Sequence, residues 1–278
     1  MIIGVAGLGL IGGSIAKAFK YYTDAEVYGF DKDTSAERLA LLVGAIDGSL
    51  SEAMLAECDY LFVALYPGAA VEYIESLKGK LKPDAVVIDC CGVKRAVCPA
   101  CFAAAKEGGF TFIGGHPMAG LHLSGFKNSR ANLFGGASMI LVPENTENIL
   151  LLSRVSEMLR SIGFGSITIT TAQVHDENIA FTSQLAHVVS NAYVKSPRAE
   201  VHKGFSAGSY KDLTRVAWLN EEMWTELFLD NPDTLCEELD GLIGALTDYR
   251  NAIADKDADT LRTLLKEGRE RKERIDRG

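Results

Sequence analysis

The sequence predicts an α/β fold: a largely parallel sheet with helices on both faces, followed by a segment built only of helices. Three observations predict it. Short apolar runs alternate with helix-period segments up to about residue 170. Most of those runs are short and largely apolar, as strands covered on both faces are. Beyond residue 171 the strand-like runs stop and helical periodicity takes over.

Strands are expected at 2–6 (IIGVA), 26–30 (EVYGF), 59–65 (DYLFVAL), 85–89 (AVVID), 110–114 (FTFIG), 138–142 (SMILV) and 166–170 (SITIT). The last two read as antiparallel additions. Helices are expected near 12–21, 34–43, 69–79, 94–107 and 146–161, where the apolar residues recur at helical spacing. The remainder reads as helices at 173–195, 205–217, 220–229, 232–255 and 257–275, broken near Pro197, Asn220 and Pro232. Two domains follow, 1–170 and 171–278. The terminal KEGRERKERIDRG mixes both charge signs and reads as a solvated helix end.

A net charge of −9 argues against a nucleic-acid partner, which would need a basic face. An acidic chain that binds an anion must place single cations locally. No apolar run of 18 or more residues exists, so no membrane span is expected. The apolar start lacks a basic leader region, and a strand from residue 2 leaves no space for one; a cytoplasmic protein is expected. The six cysteines, at 58, 90, 91, 98, 101 and 236, are irregularly spaced. CPAC (98–101) has no second C-x-x-C, so these read as ordinary thiols and no metal site is expected.

GLGLIG follows the first strand and opens a helix. Gly7 permits the turn, Gly9 lets backbone approach a pyrophosphate, and Gly12 lets helix and strand pack. Leu8, Leu10 and Ile11 complete the loop, and the helix start offers free N–H groups to phosphates. Asp31 lies 19 residues after Gly12, at the end of the next strand. Its carboxylate suits ribose hydroxyls and repels a 2′-phosphate, which favours NAD over NADP, although Lys32 stands beside it. Leu65, Tyr66 and Pro67 end a later strand and would flank the cofactor. The first domain is therefore expected to be of the Rossmann type.

In GGHPMAG (114–120), Pro117 keeps His116 out of a helix, and the glycines clear space around it. A histidine at a strand end of such a sheet has the pKa of a general base; a structural turn residue is the other reading. In the helix over 173–195, Asp176, Ala180, Ser183, His187 and Ser190 form a small, polar stripe between apolar sides. That suits the wall of a wet cleft, or helix–helix hydrogen bonding. Gly204 and Gly208 loosen the chain before a helix carrying Arg215, a residue suited to gripping a carboxylate.

GLGLIG, DCCGVK (89–94), GGHPMAG with SGF (124–126), HDENIAFTSQLAH (175–187) and YKDLTR (210–215) followed by Trp224 occur in an order that resembles the prephenate and arogenate dehydrogenases of tyrosine biosynthesis. The resemblance covers nearly the whole chain. It implies NAD-dependent oxidative decarboxylation of prephenate to 4-hydroxyphenylpyruvate, with His116 as base and Arg215 as carboxylate clamp. Ser183, His187, Gly208 and Gly92 would line the substrate side, where tyrosine could act as an inhibitor. It also implies a homodimer through the helical domain, near Trp224. Three positions depart from the family's pattern: Gly92 stands where serine is common, and Leu121 and His122 replace a polar or acidic pair. Lys94, Lys127, Arg130 and backbone amides are candidates for the second carboxylate. Arogenate dehydrogenase, a β-hydroxyacid dehydrogenase and a non-catalytic NAD- or tyrosine-sensing homologue are the rival readings.

Overall fold

The computed structural model describes residues 1–121, 123–202 and 204–277. β1 (Ile2–Ala6) leads into α1 (Leu10–Tyr22), and β2 (Glu26–Phe30) into α2 (Thr34–Leu42). A two-residue strand, β3 (Gly48–Ser49), and a short helix, α3 (Glu52–Leu55), precede β4 (Tyr60–Val63) and α4 (Pro67–Glu75). Then come β5 (Val86–Asp89), α5 (Cys98–Gly108) and β6 (Thr111–Pro117). β7 (Ser138–Pro143), α6 (Ile149–Ser161) and β8 (Ser166–Ile169) complete the sheet. The helical part holds α7 (Ala172–Ile179), α8 (Ala186–Tyr193), α9 (Gly208–Thr214), α10 (Glu221–Leu229), α11 (Pro232–Ala254) and α12 (Ala258–Arg277).

The strand order is β3-β2-β1-β4-β5-β6-β7-β8. The strands through β6 pair in parallel, β7 is antiparallel to β6, and β8 is parallel to β7. The last two strands therefore run against the rest, as expected. Side chains alternate between the faces: Tyr60 and Phe62 join one core, Leu61 and Val63 the other. Both faces are covered, which is why the strands read as continuous apolar runs. The strand order reverses at β1, between β2 and β4, and that is where open α/β sheets bind ligands.

Most expected elements form within a few residues of their predicted limits. Three differences matter. β3 carries no apolar alternation and was not expected. β6 runs on to Pro117, so His116 lies inside a strand, paired with Ile140 of β7, rather than just beyond it. The helix expected over 173–195 is interrupted by a π-helical turn, Ala180–Leu185, between α7 and α8. Such turns mark an inserted residue in the helical ladder and recur at functional sites.

By packing, the chain divides into two compact units, Met1–Asn231 and Pro232–Gly278. The expected boundary at 170 falls inside the first unit, where strands give way to helices. In the second unit α11 and α12 pack on each other. Asp257 caps α12 by accepting from the N–H of Asp259 and Thr260. The exposed face of α12 carries opposite-charge pairs one turn apart, Lys266–Glu270 and Arg269–Glu273. No helix among the described residues is long and apolar enough to cross a membrane.

Candidate functional site

The glycine loop has the form a dinucleotide requires. Gly7 sits at φ +89°, and a Cβ there would come within 2.4 Å of the Ala64 carbonyl oxygen. A Cβ on Gly12 would lie 1.8 Å from the Gly7 carbonyl oxygen. These two glycines close the loop onto itself and onto the strand end at Ala64. A Cβ on Gly9 would meet nothing within 4 Å. Gly9 is also the N-cap of α1 and offers no side-chain cap, so the first-turn N–H groups lack a capping side chain. A bare helix N-terminus facing open space is a cradle for phosphate.

Asp31 ties the loop to β2. One oxygen accepts from Leu8 N at 2.7 Å and the other from Asp33 N at 2.8 Å. A carboxylate has about four acceptor sites, so capacity for hydroxyls remains. Leu10 and Ile11 open α1. Leu65 lies against Gly7, Tyr66 caps α4, and Pro67 is its first residue. The two loops at the switch point thus meet.

Gly9 separates two effects. Gly9→Ala is expected to weaken NAD binding by about tenfold or more while leaving the thermal midpoint unchanged, because its methyl meets no protein atom within 4 Å. Gly12→Ala is expected to lower both, since its methyl meets Gly7. Calorimetric titration with NAD and thermal melts check this; normal NAD affinity in Gly9→Ala would remove the cradle.

His116 is half-buried on β6, at the same sheet edge as the glycine loop. Its Nδ1 lies 2.9 Å from Nε2 of His175, on α7. Nδ1 of His175 lies 2.6 Å from Oδ1 of Asp176. Burial, then the neighbouring His175 and the positive Lys94, hold His116 well below the ordinary histidine pKa. Burial pulls His175 down as well, against the pull of Asp176.

Behind His116 stands a buried ion pair. Lys94 and Asp89, both fully buried, are in direct contact. Lys94 Nζ also donates to the Gly115 carbonyl at 2.6 Å, and Gly115 N donates to Asp89 at 2.9 Å. Asp89 takes a further bond from Cys91 N at 2.8 Å. Against the cost of burial, the Asp89 carboxylate holds the Lys94 ammonium above the ordinary lysine range. The pair fixes the backbone just before His116 and the turn carrying Gly92. Lys94 is therefore committed within the fold and does not serve as a carboxylate ligand, contrary to its place among the candidates. A Cβ on Gly92 would lie 3.2 Å from Leu227 Cδ2 and 3.9 Å from His116 Cε1. Gly92 thus borders the candidate base, and Leu227 of α10 fills the space beside it.

Asp176 does not face a wet cleft. It is fully buried and accepts from Lys94 N at 2.8 Å and Arg95 N at 2.9 Å, besides His175. Arg95 also bonds Asn231, which donates to Gln184 and to the Asp176 carbonyl. Asp176 thereby pins α7 to the turn after β5. Ala180 and Ser190 are buried too, so the expected polar stripe reduces to Ser183 and His187.

His187 Nδ1–H donates to the Ser183 carbonyl at 2.7 Å, and its ring lies 4.0 Å from that of Trp224. Burial and the nearby charge of Arg215 hold His187 below its ordinary pKa, against the pull of that carbonyl. Arg215 is exposed at the C-terminal end of α9. Trp224 and Leu227 are three residues apart on α10 and so neighbours on its surface. Trp224 faces His187 and Leu227 faces Gly92. The helix thus touches His187 and borders Gly92, while Arg215 lies close enough for its charge to act on His187. Gly208 begins α9, and no described contact ties it to this group. Lys127 and Arg130 are exposed on the segment that packs over α1 through Ser14 and Lys17. Leu121 is exposed, and His122 lies outside the described residues. Among the described residues, no group of three or more His, Cys, Asp or Glu could hold a metal ion. Sequence reasoning missed His175 as a partner of His116; the signal was the HD pair at the start of the polar helix.

Residues 15–168 match the family model described as prephenate dehydrogenase, nucleotide-binding domain. Residues 171–267 match the one described as prephenate dehydrogenase, dimerization domain. Cyclohexadienyl dehydrogenase of Zymomonas mobilis is 30% identical over 275 residues, covering 95% of this chain and 92% of that protein. The structure of prephenate dehydrogenase from A. aeolicus in complex with hydroxyphenyl propionate and NAD+ superposes with a TM-score of 0.84 at 26% identity. That match covers 99% of this chain and 98% of that one. Synechocystis arogenate dehydrogenase gives a TM-score of 0.82 at 25% identity, covering 99% and 100%. With both family domains matched in order over a fold of the same architecture, the chain belongs to the prephenate dehydrogenase family.

Proposed function

We propose that this protein oxidises prephenate with NAD, releasing carbon dioxide and 4-hydroxyphenylpyruvate. The observation that carries the reading is a half-buried histidine, anchored through Nδ1 and held below its ordinary pKa by burial, on the sheet edge that holds the glycine loop. Residues 7–12, Asp31 and Leu65–Pro67 would hold the cofactor. When bound, NAD supplies the hydride acceptor. His116 takes the proton of the ring hydroxyl through Nε2, the nitrogen left free by the His175 contact. Loss of the ring carboxylate then yields an aromatic product. Low-dielectric surroundings favour the neutral imidazole that this step needs.

Arg215 grips a substrate carboxylate, and Ser183 and His187 line the same side. Residues 1–170 act as the nucleotide domain, and 171–278 carry the substrate side and the subunit contact of a homodimer. The match of 171–267 to a dimerization domain supports this division. Tyrosine, which shares the product's phenol ring, would compete at the same place.

Arg215→Ala is expected to raise KM for prephenate by about 10–100-fold with a smaller change in kcat, as loss of a charge-assisted hydrogen bond worth about 1.5–3 kcal/mol requires. Steady-state kinetics at saturating NAD read the split; an unchanged KM removes the clamp.

Likeness to the Synechocystis enzyme supports a second reading, in which arogenate, with an amine in place of the keto group, is oxidised to tyrosine. The ratio of kcat/KM on the two substrates distinguishes them.

A further inference from the structure

We infer that neutral His175, backed by the Asp176 carboxylate, is the positioning residue that fixes the His116 proton on Nδ1 and leaves Nε2 as the sole basic nitrogen. This rests on the reading of His116 as the base.

The inference follows from a chain of donors and acceptors. An ionised carboxylate only accepts. The 2.6 Å contact between His175 Nδ1 and Asp176 Oδ1 therefore carries its proton on Nδ1. A neutral His175 then has a lone pair on Nε2. The 2.9 Å contact to His116 Nδ1 must be donated by His116. His116, neutral in turn, has its lone pair on Nε2. One anchored carboxylate thus dictates the tautomer of two rings in series.

The anchor is rigid. Asp176 takes backbone bonds from Lys94 and Arg95, so its oxygens are held from the turn after β5 as well as from α7. His175 is 2% exposed, so water does not compete for its ring nitrogens. The relay also explains how the site tolerates glycine at position 92. That residue borders His116 Cε1 but has no hydroxyl to orient the ring. Orientation comes instead through Nδ1. As His116 gains a proton, the Asp176 charge two hydrogen bonds away stabilises the cation.

Long-range ¹H–¹⁵N NMR of the free enzyme, with ¹⁵N-histidine, reports the tautomer directly. The chain has only 5 histidines, which His→Gln variants assign one by one. The expected spectrum has His116 protonated on Nδ1 and unprotonated on Nε2. In His175→Phe the proton is expected to shift toward Nε2, with kcat down by about 10²-fold and KM changed little. In His175→Gln the amide oxygen can accept from His116 Nδ1–H, so tautomer and most of kcat are expected to return.

A wild-type His116 protonated on Nε2 would overturn the inference, and needs no variant to fold. So would a His175→Phe enzyme with wild-type tautomer and kcat. If His116→Asn itself retains full turnover, the base assignment fails while the NMR result still decides the tautomer. The two failures are thus distinguishable.

Discussion

Replacing His116 by asparagine is expected to lower kcat by about 10²–10⁴-fold, the share a positioned acid–base group supplies, while NAD binds as before. Asparagine is close to histidine in its inner half and can still donate to His175, so the strand end keeps its packing. It cannot take a proton. NAD contacts lie on the glycine loop and the strand ends beside it, so cofactor affinity has no reason to change. The pH profile carries the same test with a definite sign. Protonation removes the base, and the site holds the His116 pKa well below the ordinary 6.5, first by burial and then through His175 and Lys94. The acid limb of kcat/KM is therefore expected below pH 6.5, with full activity above it. The charged and titratable groups around the ring are His175, Lys94, Asp89 and Asp176. A limb centred at or above 6.5 that survives in His116→Asn would assign the base elsewhere.

Replacing Asp89 by leucine is expected to destabilise the protein by about 3–5 kcal/mol, because it leaves the Lys94 ammonium buried without its counter-charge. It also strips acceptors from Gly115 N and Cys91 N. Activity is expected to fall further than stability alone explains, since the Gly115 peptide precedes His116. The double variant Asp89→Leu/Lys94→Met is expected to recover much of the stability, because an apolar pair of similar volume removes both desolvation costs. Urea denaturation of the two variants reads this. A single variant within about 1 kcal/mol of wild type would mean that the buried pair is not under strain when broken.

The fold was legible where physics is local. Continuous apolar runs marked strands buried on both faces, and the antiparallel sense of β7 and β8 matched the loss of regular strand–helix alternation. The glycine loop was legible because each glycine answers a steric demand, now visible as the contacts a Cβ would make at Gly7 and Gly12. β3 was not legible: two residues cannot show a period. The π turn at Ala180–Leu185 was not legible either, since it depends on how the helix is pinned by Asp176 and Gln184 rather than on its own composition. That turn undid the stripe, which assumed an unbroken 3.6-residue period from Asp176 to Ser190.

Lys94 stands among several candidates for the second carboxylate in the sequence. Only the neighbouring strand shows that Asp89, five residues earlier, claims it. The His116–His175 contact joins residues 59 apart, so the HD pair at 175–176 marks a paired histidine without showing which strand it meets. What the resemblance did signal was the glycine at position 92, where serine is common in the family, so that another group must orient the histidine.

The most direct test is the appearance of NADH on mixing the enzyme with NAD and prephenate, with released carbon dioxide measured in the same reaction. The expected result is one NADH and one carbon dioxide per prephenate consumed, formed about 10²–10⁴-fold more slowly by His116→Asn. Tight NAD binding with no NADH formed from either prephenate or arogenate would contradict it and mark the chain as a non-catalytic member of its family.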